Sequence, residues 1–401
     1  MMNRRGSLKT LAVAAALSVG SLVPAFAADT IKVGVLHSLS GTMAISETVL
    51  KDTVLMAIDE INASGGVLGK KLELVFRDDE AKNERGVEIA QEFINKTKVA
   101  AAVGYINTGV ALASQRFFQE AKIPVVNNVA TGTLITRQFE KEPENYVFRT
   151  SAADNIQAPM IVEEAVTRRG FKKVAILADS TAYGDLGRKD LTAALEAKGI
   201  TPLVSEKFNI GDKDMTAQLL KAKEAGAEVI LTYAIGPELA MIANGMSKIA
   251  WKKPMIGSWT LSMANFIDTA GKNGEGATMP QTFVQNGNTP KRKAFIEAYL
   301  KEFKPKKDRI DSPVSAAQGY DSIYLLAAAM QQAGTTDGPK VREALENLQT
   351  KLEGVVTVYD KPFSKTDHEA ISIKIPVMGE VKDSRVTYAN PGDSATAVRT
   401  K

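Results

Sequence analysis

Cysteine is absent from the 401 residues, and histidine occurs only twice, at His37 and His368. The first absence excludes disulfides, thiol nucleophiles, thiolate metal sites and a cysteine-borne lipid anchor. The second means that an imidazole metal site would need two remote segments to converge. Acidic residues do not fill the gap, because "RDDE" (77–80) lacks the spaced oxygen ligands of a calcium loop and reads as a solvated strand end. Catalytic signatures are missing too. There is no G-x-S-x-G elbow, and His37 and Ser38, as strand neighbours, point to opposite faces. "GGVLGKK" (65–71) is one residue short of a phosphate loop and has Lys71 where a Ser or Thr would meet magnesium. Neither catalysis nor a metal or other cofactor is expected.

Long apolar runs are confined to one place. "MMNRRGSLKTLAVAAALSVGSLVPAFAADT" sets Arg4, Arg5 and Lys9 ahead of an apolar stretch from Leu11 to Val23 and an Ala25-Phe26-Ala27 end. This is the pattern of a secretory signal peptide over residues 1–27, removed on export. The stretch is too short and Ala-rich to span a bilayer, and nothing later approaches about 20 apolar residues, so a soluble exported protein is expected. The Arg4-Arg5 pair leaves the general and twin-arginine routes both open, although Ser7 stands where the latter prefers an apolar residue.

An excess of one charge is also lacking. Arg4, Arg5 and Lys9 precede the first acidic residue, Asp29, so removing the leader lowers the formal charge from +4 to +1. No nucleic acid or other polyanion partner is expected, and the short cluster "KPKK" (304–307) reads as a solvated helix end. About 370 residues remain, enough for two domains of ordinary size.

What is present is one pattern twice. "IKVGVL", "KLELVF", "VAAAVGY" and "KIPVVNN" are short β-branched runs alternating with helical patterns such as "TVLMAIDEINA" and "GVALASQRFFQEA". "KKVAILADS", "TPLVSEKF", "AEVILTY" and "KKPMIGSW" repeat the order, with "LGRKDLTAALEAKG" and "PELAMIANGMSKI" between them. Both series read as βαβ units of a parallel sheet. The remainder predicts a strand-like return at 276–287, two helices in "PKRKAFIEAYLKEF" and "VSAAQGYDSIYLLAAAMQQAG", and late strands in "GVVTVYD" and "EAISIKIPVMGE". Chain crossings between two lobes are expected at 148–159, near 276–283 and near 353–358.

In doubly wound sheets, ligands bind beyond the carboxyl ends of the strands. The loops there pair off: "HSLSGTMAISE" (37–47) with "DSTAYGDLG" (179–187), "YINTG" (105–109) with "YAIGPE" (233–238), and "NNVATGT" (127–133) with "GSWTLS" (257–262). Ser, Thr, Asn, Gly and aromatics dominate all six. The candidates they supply are Ser38, Ser40 and Ser46 from the first loop, with Gly41 and Thr42 beside them, and Tyr183, Ile235 and Trp259 from the second series.

The combination "VGVLHSLSG", "AIDEINASGGVLGKKLELVFRDDE", "FRTSAADNIQAP", "YGDLG" and "QGYDSIYLLAAAMQQAG" resembles the periplasmic solute-binding proteins of branched-chain amino acid type ABC importers. The resemblance implies an α/β, two-lobed type I periplasmic binding protein, each lobe a parallel-sheet α/β sandwich, joined by a multi-strand hinge. Residues 28–148 plus about 278–354 would form the N-terminal lobe, and 149–277 plus about 355–401 the C-terminal lobe. It also implies a periplasmic monomer that takes a small-molecule ligand to an ABC permease in the inner membrane. In that family a loop at a helix start and a Thr after the next strand hold the ligand carboxylate. Those positions fall here on Thr108, flanked by Asn107 and Gly109, and on Thr131, preceded by Val129 and Ala130.

One departure bears on the ligand. Amino-acid-binding members carry an acidic residue near 257–262 to pair with the ligand ammonium, and this chain has Trp259. An indole offers a flat apolar surface in place of a countercharge. An aromatic or hydrophobic organic acid is therefore the expected ligand. Branched-chain amino acids, urea or short amides (which the 37–47 loop resembles) and presentation to a periplasmic sensor remain the alternatives.

Overall fold

The run Ile31–His37 becomes a strand (β1) with nearly every residue buried, as a sheet covered by helices on both faces requires. In the computed structural model, residues 29–41, 43–394 and 399–401 are described; the expected signal peptide and Thr42 lie outside them. After β1 come α1 (Ala44–Ala63), β2 (Leu72–Asp78), α2 (Asn83–Glu92), β3 (Ala101–Gly104), α3 (Thr108–Glu120), β4 (Val125–Asn127) and β5 (Val147–Arg149). The five strands form a wholly parallel sheet in the order β2-β1-β3-β4-β5.

The second series follows as α4 (Asp154–Val162), β6 (Val174–Asp179), α5 (Ala182–Glu196), β7 (Val204–Phe208), α6 (Thr216–Glu224), β8 (Val229–Tyr233), α7 (Gly236–Lys248), β9 (Met255–Gly257) and α8 (Ala264–Ala270). Next are β10 (Thr278–Gln281), α9 (Pro290–Phe303), α10 (Pro313–Ala333), α11 (Gly338–Glu346), a small hairpin of β11 (Leu352–Glu353) and β12 (Val358–Tyr359), and finally β13 (Val377–Lys382) and β14 (Arg385–Tyr388). The second sheet runs β7-β6-β8-β9-β10-β13-β14, parallel up to β10, with β13 antiparallel to β10 and β14 antiparallel to β13. This two-sheet α/β architecture is the one the duplicated pattern predicts. No helix among the described residues is long and apolar enough to cross a membrane.

The second crossing falls inside the expected window near 276–283, and the third moves. β10 pairs with β9 and β13, so 278–281 belongs to the second sheet and the chain returns to the first lobe only beyond Gln281, where α10 packs on α1. The segment from 355 to about 370, assigned from sequence to the C-terminal lobe, stays on the first. Asp321 of α10 holds it, with Oδ1 accepting the Val355 N–H at 2.7 Å and Oδ2 accepting the Val356 N–H at 2.8 Å and the Tyr359 hydroxyl at 3.0 Å. Further on, Arg149 at the end of β5, fully buried, sends Nε to Glu369 Oε2 at 2.8 Å and Nη1 to the Gly132 carbonyl at 2.7 Å. His368 stacks on Phe148 with ring centroids 4.1 Å apart. The third crossing therefore falls between 370 and 377 rather than at 353–358. Paired polar anchors decide this, and short apolar runs such as "GVVTVYD" carry no sign of which lobe they serve.

Candidate functional site

The carboxyl ends of the two sheets face each other. Where β3 ends, Asn107 caps α3 with its side-chain oxygen, accepting the N–H groups of Gly109 at 2.9 Å and Val110 at 3.4 Å. With those donors taken, this helix end offers an anion the Thr108 hydroxyl and the positive end of the helix dipole. The loop after β4 comes down onto Thr108, whose Oγ1 accepts the Gly132 N–H at 3.2 Å. Only glycine permits that approach, since a Cβ at Gly132 would lie 2.3 Å from Thr108 Cγ2. Thr131 is thereby held beside Thr108, also buried.

The second lobe supplies aromatics. Tyr183, in the first turn of α5, packs on Tyr233 at the end of β8 with centroids 5.0 Å apart, and its buried hydroxyl has no hydrogen-bond partner among the described residues. Ile235 starts α7, its N–H donated to Asp179 Oδ2 at 3.2 Å. Trp259 opens a short 3₁₀ turn after β9. Its backbone N–H donates to Gln157 Oε1 at 3.1 Å, and its indole Nε1, buried, has no partner among the described residues. Thr260 is fixed next to it by hydrogen bonds to the Ala234 carbonyl at 2.5 Å and Ser258 Oγ at 2.9 Å.

Two cavities of about 10 Å³ each remain where the lobes meet, with Thr131 and Trp259 in the walls of both. In the front one, Asn107, Thr108, Val129 and Thr131 of the first lobe face Tyr183, Ile235 and Trp259 of the second. Seven of the ten residues singled out from sequence are thus brought together. The sequence reading missed Met43, Ile106 and Thr260, which also line this cavity. All three lie inside the quoted loops, but an isolated Met or Ile carries no polar signal. Each cavity has room for about one water molecule, so an organic molecule can be admitted only when the walls part. A hydrogen bond of 2.7 Å from the Thr133 hydroxyl to Asp190 Oδ2 joins the two lobes beside the cleft.

The three serines of the first loop lie elsewhere. Ser38 is buried and donates to Asp79 Oδ1, Ser40 is exposed, and Ser46 bonds Ser315 at 2.6 Å and Ser312 at 3.2 Å at the start of α10. Ser38 and Ser46 brace the loop and the α1–α10 contact, and none of the three lines the cavity. Asp79, read from sequence as part of a solvated strand end, is in fact the buried acceptor for Ser38 and the Ala81 N–H. His37 is equally enclosed, and burial, with Lys51 nearby, lowers its pKa to about 3, so it is a neutral core group.

One buried acid stands behind the site. Asp154 accepts the Tyr233 hydroxyl at 2.6 Å through Oδ1, while Oδ2 has no partner among the described residues. Burial pushes its pKa up to about 7, against the hydrogen bond from Tyr233. Between about pH 4, where an unfolded aspartate ionises, and pH 7 the folded protein keeps a proton that the unfolded chain releases. The contribution of this group to stability is therefore fullest below about pH 4 and is lost as pH rises through about 7. Asp154→Asn should flatten the dependence of stability on pH across that window. Urea melts of both proteins at several pH values check this, and an unchanged slope in the variant would refute it.

The match to known proteins covers most of this architecture. The family model described as "Periplasmic binding protein" matches residues 30–373. The leucine-, isoleucine-, valine-, threonine- and alanine-binding protein of Pseudomonas aeruginosa is 28% identical over 345 residues, spanning 85% of this chain and 89% of that protein. Leu/Ile/Val-binding protein homolog 3 of Brucella melitensis is 29% identical over 332 residues, 82% and 86% of the two chains. Among solved structures, a leucine-binding protein of Thermotoga maritima superposes with a TM-score of 0.80 at 22% identity, covering 91% of this chain and all of that one. A solute-binding protein of an ABC transporter from R. palustris, in complex with 4-hydroxybenzoate, superposes with a TM-score of 0.76 at 23% identity, covering 90% and 96%. The chain belongs to the periplasmic binding protein family, as a type I member of the branched-chain amino acid type, and so to the solute-binding components of ABC importers.

Proposed function

We propose that this protein captures a small organic acid with an apolar, aromatic body in the periplasm and carries it, enclosed between the lobes, to an inner-membrane ABC permease. The observation that carries the reading is the front cavity's lining. Among the described residues it contains no charged side chain, yet it sets two threonine hydroxyls against an indole and a phenol. Neutral donors near a helix N-terminus can hold a carboxylate without a buried cation. An α-ammonium in the same space would lack its countercharge, at a cost of several kcal/mol.

The acids nearby do not supply that charge. Glu238, the candidate that the "YAIGPE" loop offers, is buried with Oε1 accepting the Gly211 N–H at 2.8 Å, and it is absent from the lining. Asp154 gives Oδ1 to Tyr233 and stands outside the lining as well. Similarity of fold does not choose the ligand, since proteins solved with isoleucine and with 4-hydroxybenzoate superpose on this chain about equally well.

Closure is the transport event in this reading. The ligand bridges the lobes and shifts the hinge toward the form the permease recognises. Thr131→Val tests the anion-binding half. A hydrogen bond to a charged group is worth about 1.5–3 kcal/mol and one to a neutral group about 1 kcal/mol, so the variant should lose more affinity for an aromatic acid than for its amide. Calorimetry with such a pair checks this, and equal losses would argue against a carboxylate at Thr131.

A further inference from the structure

Behind the indole lies a second compartment that the carboxylate site does not use. It is bounded by Thr131 and Trp259 on the side of the front cavity, by Gln157, Gln281 and Thr282 from the second lobe and its return, and by Gln318 of α10. No charged side chain lines it among the described residues. Most of its polar atoms are already matched. Gln157 accepts from the Trp259 N–H and donates to the Ala152 carbonyl at 2.9 Å, and Gln318 Nε2 donates to Thr282 Oγ1 at 2.8 Å. Gln281 differs. Its Nε2 donates to the Pro280 carbonyl at 2.8 Å, but its Oε1, on a side chain 1% exposed, has no partner among the described residues.

A buried acceptor left unpaired costs about 1–3 kcal/mol, and a ligand group that donates to it recovers part of that cost. The donor must be neutral, because a cation would enter a compartment with no countercharge. The two side chains common to both walls, Thr131 and Trp259, form the rim between the compartments. An acid anchored at Thr108 and laid along the indole that extends past this rim places its far end in the rear.

We propose that the rear compartment is a second subsite, in which Gln281 Oε1 accepts a hydrogen bond from a hydroxyl at the distal end of the ligand. The inference rests on the acid reading above and narrows it to hydroxylated aromatic acids. Trp259 is then the gauge of ligand length, and Gln281 the residue that selects the hydroxyl.

Calorimetry on the purified protein with two matched pairs, benzoate with 4-hydroxybenzoate and phenylacetate with 4-hydroxyphenylacetate, tests the subsite. In at least one pair the hydroxylated acid should bind about tenfold more tightly, the factor that roughly 1.4 kcal/mol of hydrogen bonding yields. Gln281→Leu should reduce that preference to less than about twofold while leaving the unsubstituted acid nearly unaffected. Should the Leu variant fail to fold by circular dichroism, Gln281→Met, of similar length and without the carbonyl, replaces it. Equal affinities within both pairs for the unaltered protein, or a preference that survives at Gln281→Leu, would overturn the subsite and leave the acid reading standing. Binding of leucine with none of the four acids bound would overturn the acid reading itself, and the subsite with it.

Discussion

Asp321→Ala should destabilise the protein by about 3–6 kcal/mol, because three buried donors lose their acceptor together and each unpaired group costs about 1–3 kcal/mol, with partial relaxation. The carboxylate takes the N–H groups of Val355 and Val356 and the Tyr359 hydroxyl, all buried. Those contacts fix the hairpin that leads back toward the hinge, so the loss falls on the geometry of the third crossing as well as on the first lobe's core. Folded domains have only about 5–15 kcal/mol in hand, so the Ala variant should unfold at much lower urea concentration. Asp321→Asn keeps one acceptor oxygen and should lose less. A denaturation midpoint for Asp321→Ala equal to that of the unaltered protein would show that the carboxylate is not the anchor described.

The second large effect is on binding. On the proposed binding mode, Trp259→Ala removes the apolar surface under the ligand's body and should weaken binding of an aromatic acid by about 1–3 kcal/mol. Adding Thr131→Val also removes a donor to the ligand's carboxylate, and the pair should lose about 3–5 kcal/mol, a factor of about one hundred to a few thousand in affinity. Both variants should keep the unaltered protein's circular dichroism spectrum, since neither residue completes a strand ladder. Retention of near-normal affinity by the double variant would place the ligand elsewhere.

The duplicated βαβ pattern was legible because both sheets are covered on both faces, which forces continuous apolar runs such as "VAILAD" and "VILTY". The long helix patterns were equally clear: "PKRKAFIEAYLKEF" is α9 to the residue. Elements whose placement depends on pairing were not. The lobe served by 355–370 is decided by partners outside the segment, Asp321 more than thirty residues before it and Arg149 more than two hundred, and local pattern holds no record of such contacts. The site divides in the same way. Thr108, Thr131, Tyr183, Ile235 and Trp259 follow strand ends in both series and could be found by position. Ser38 and Ser46 share that position and chemistry but are consumed by Asp79 and by the serines of α10. Gln157, Gln281 and Gln318 converge from three separate segments, and no spacing in the chain announces them.

The central claim is that the cleft of this solute-binding protein takes an acid with an apolar body and not a zwitterion. Isothermal titration calorimetry of the purified protein against 4-hydroxybenzoate, benzoate, leucine and valine tests it most directly. The account predicts that at least one of the two aromatic acids binds tightly and that both amino acids bind at least about a hundredfold more weakly, the penalty of an unpaired buried ammonium. Tight binding of leucine or valine with both aromatic acids ignored would contradict it, and would point to Asp154 Oδ2, unpartnered among the described residues, as the countercharge.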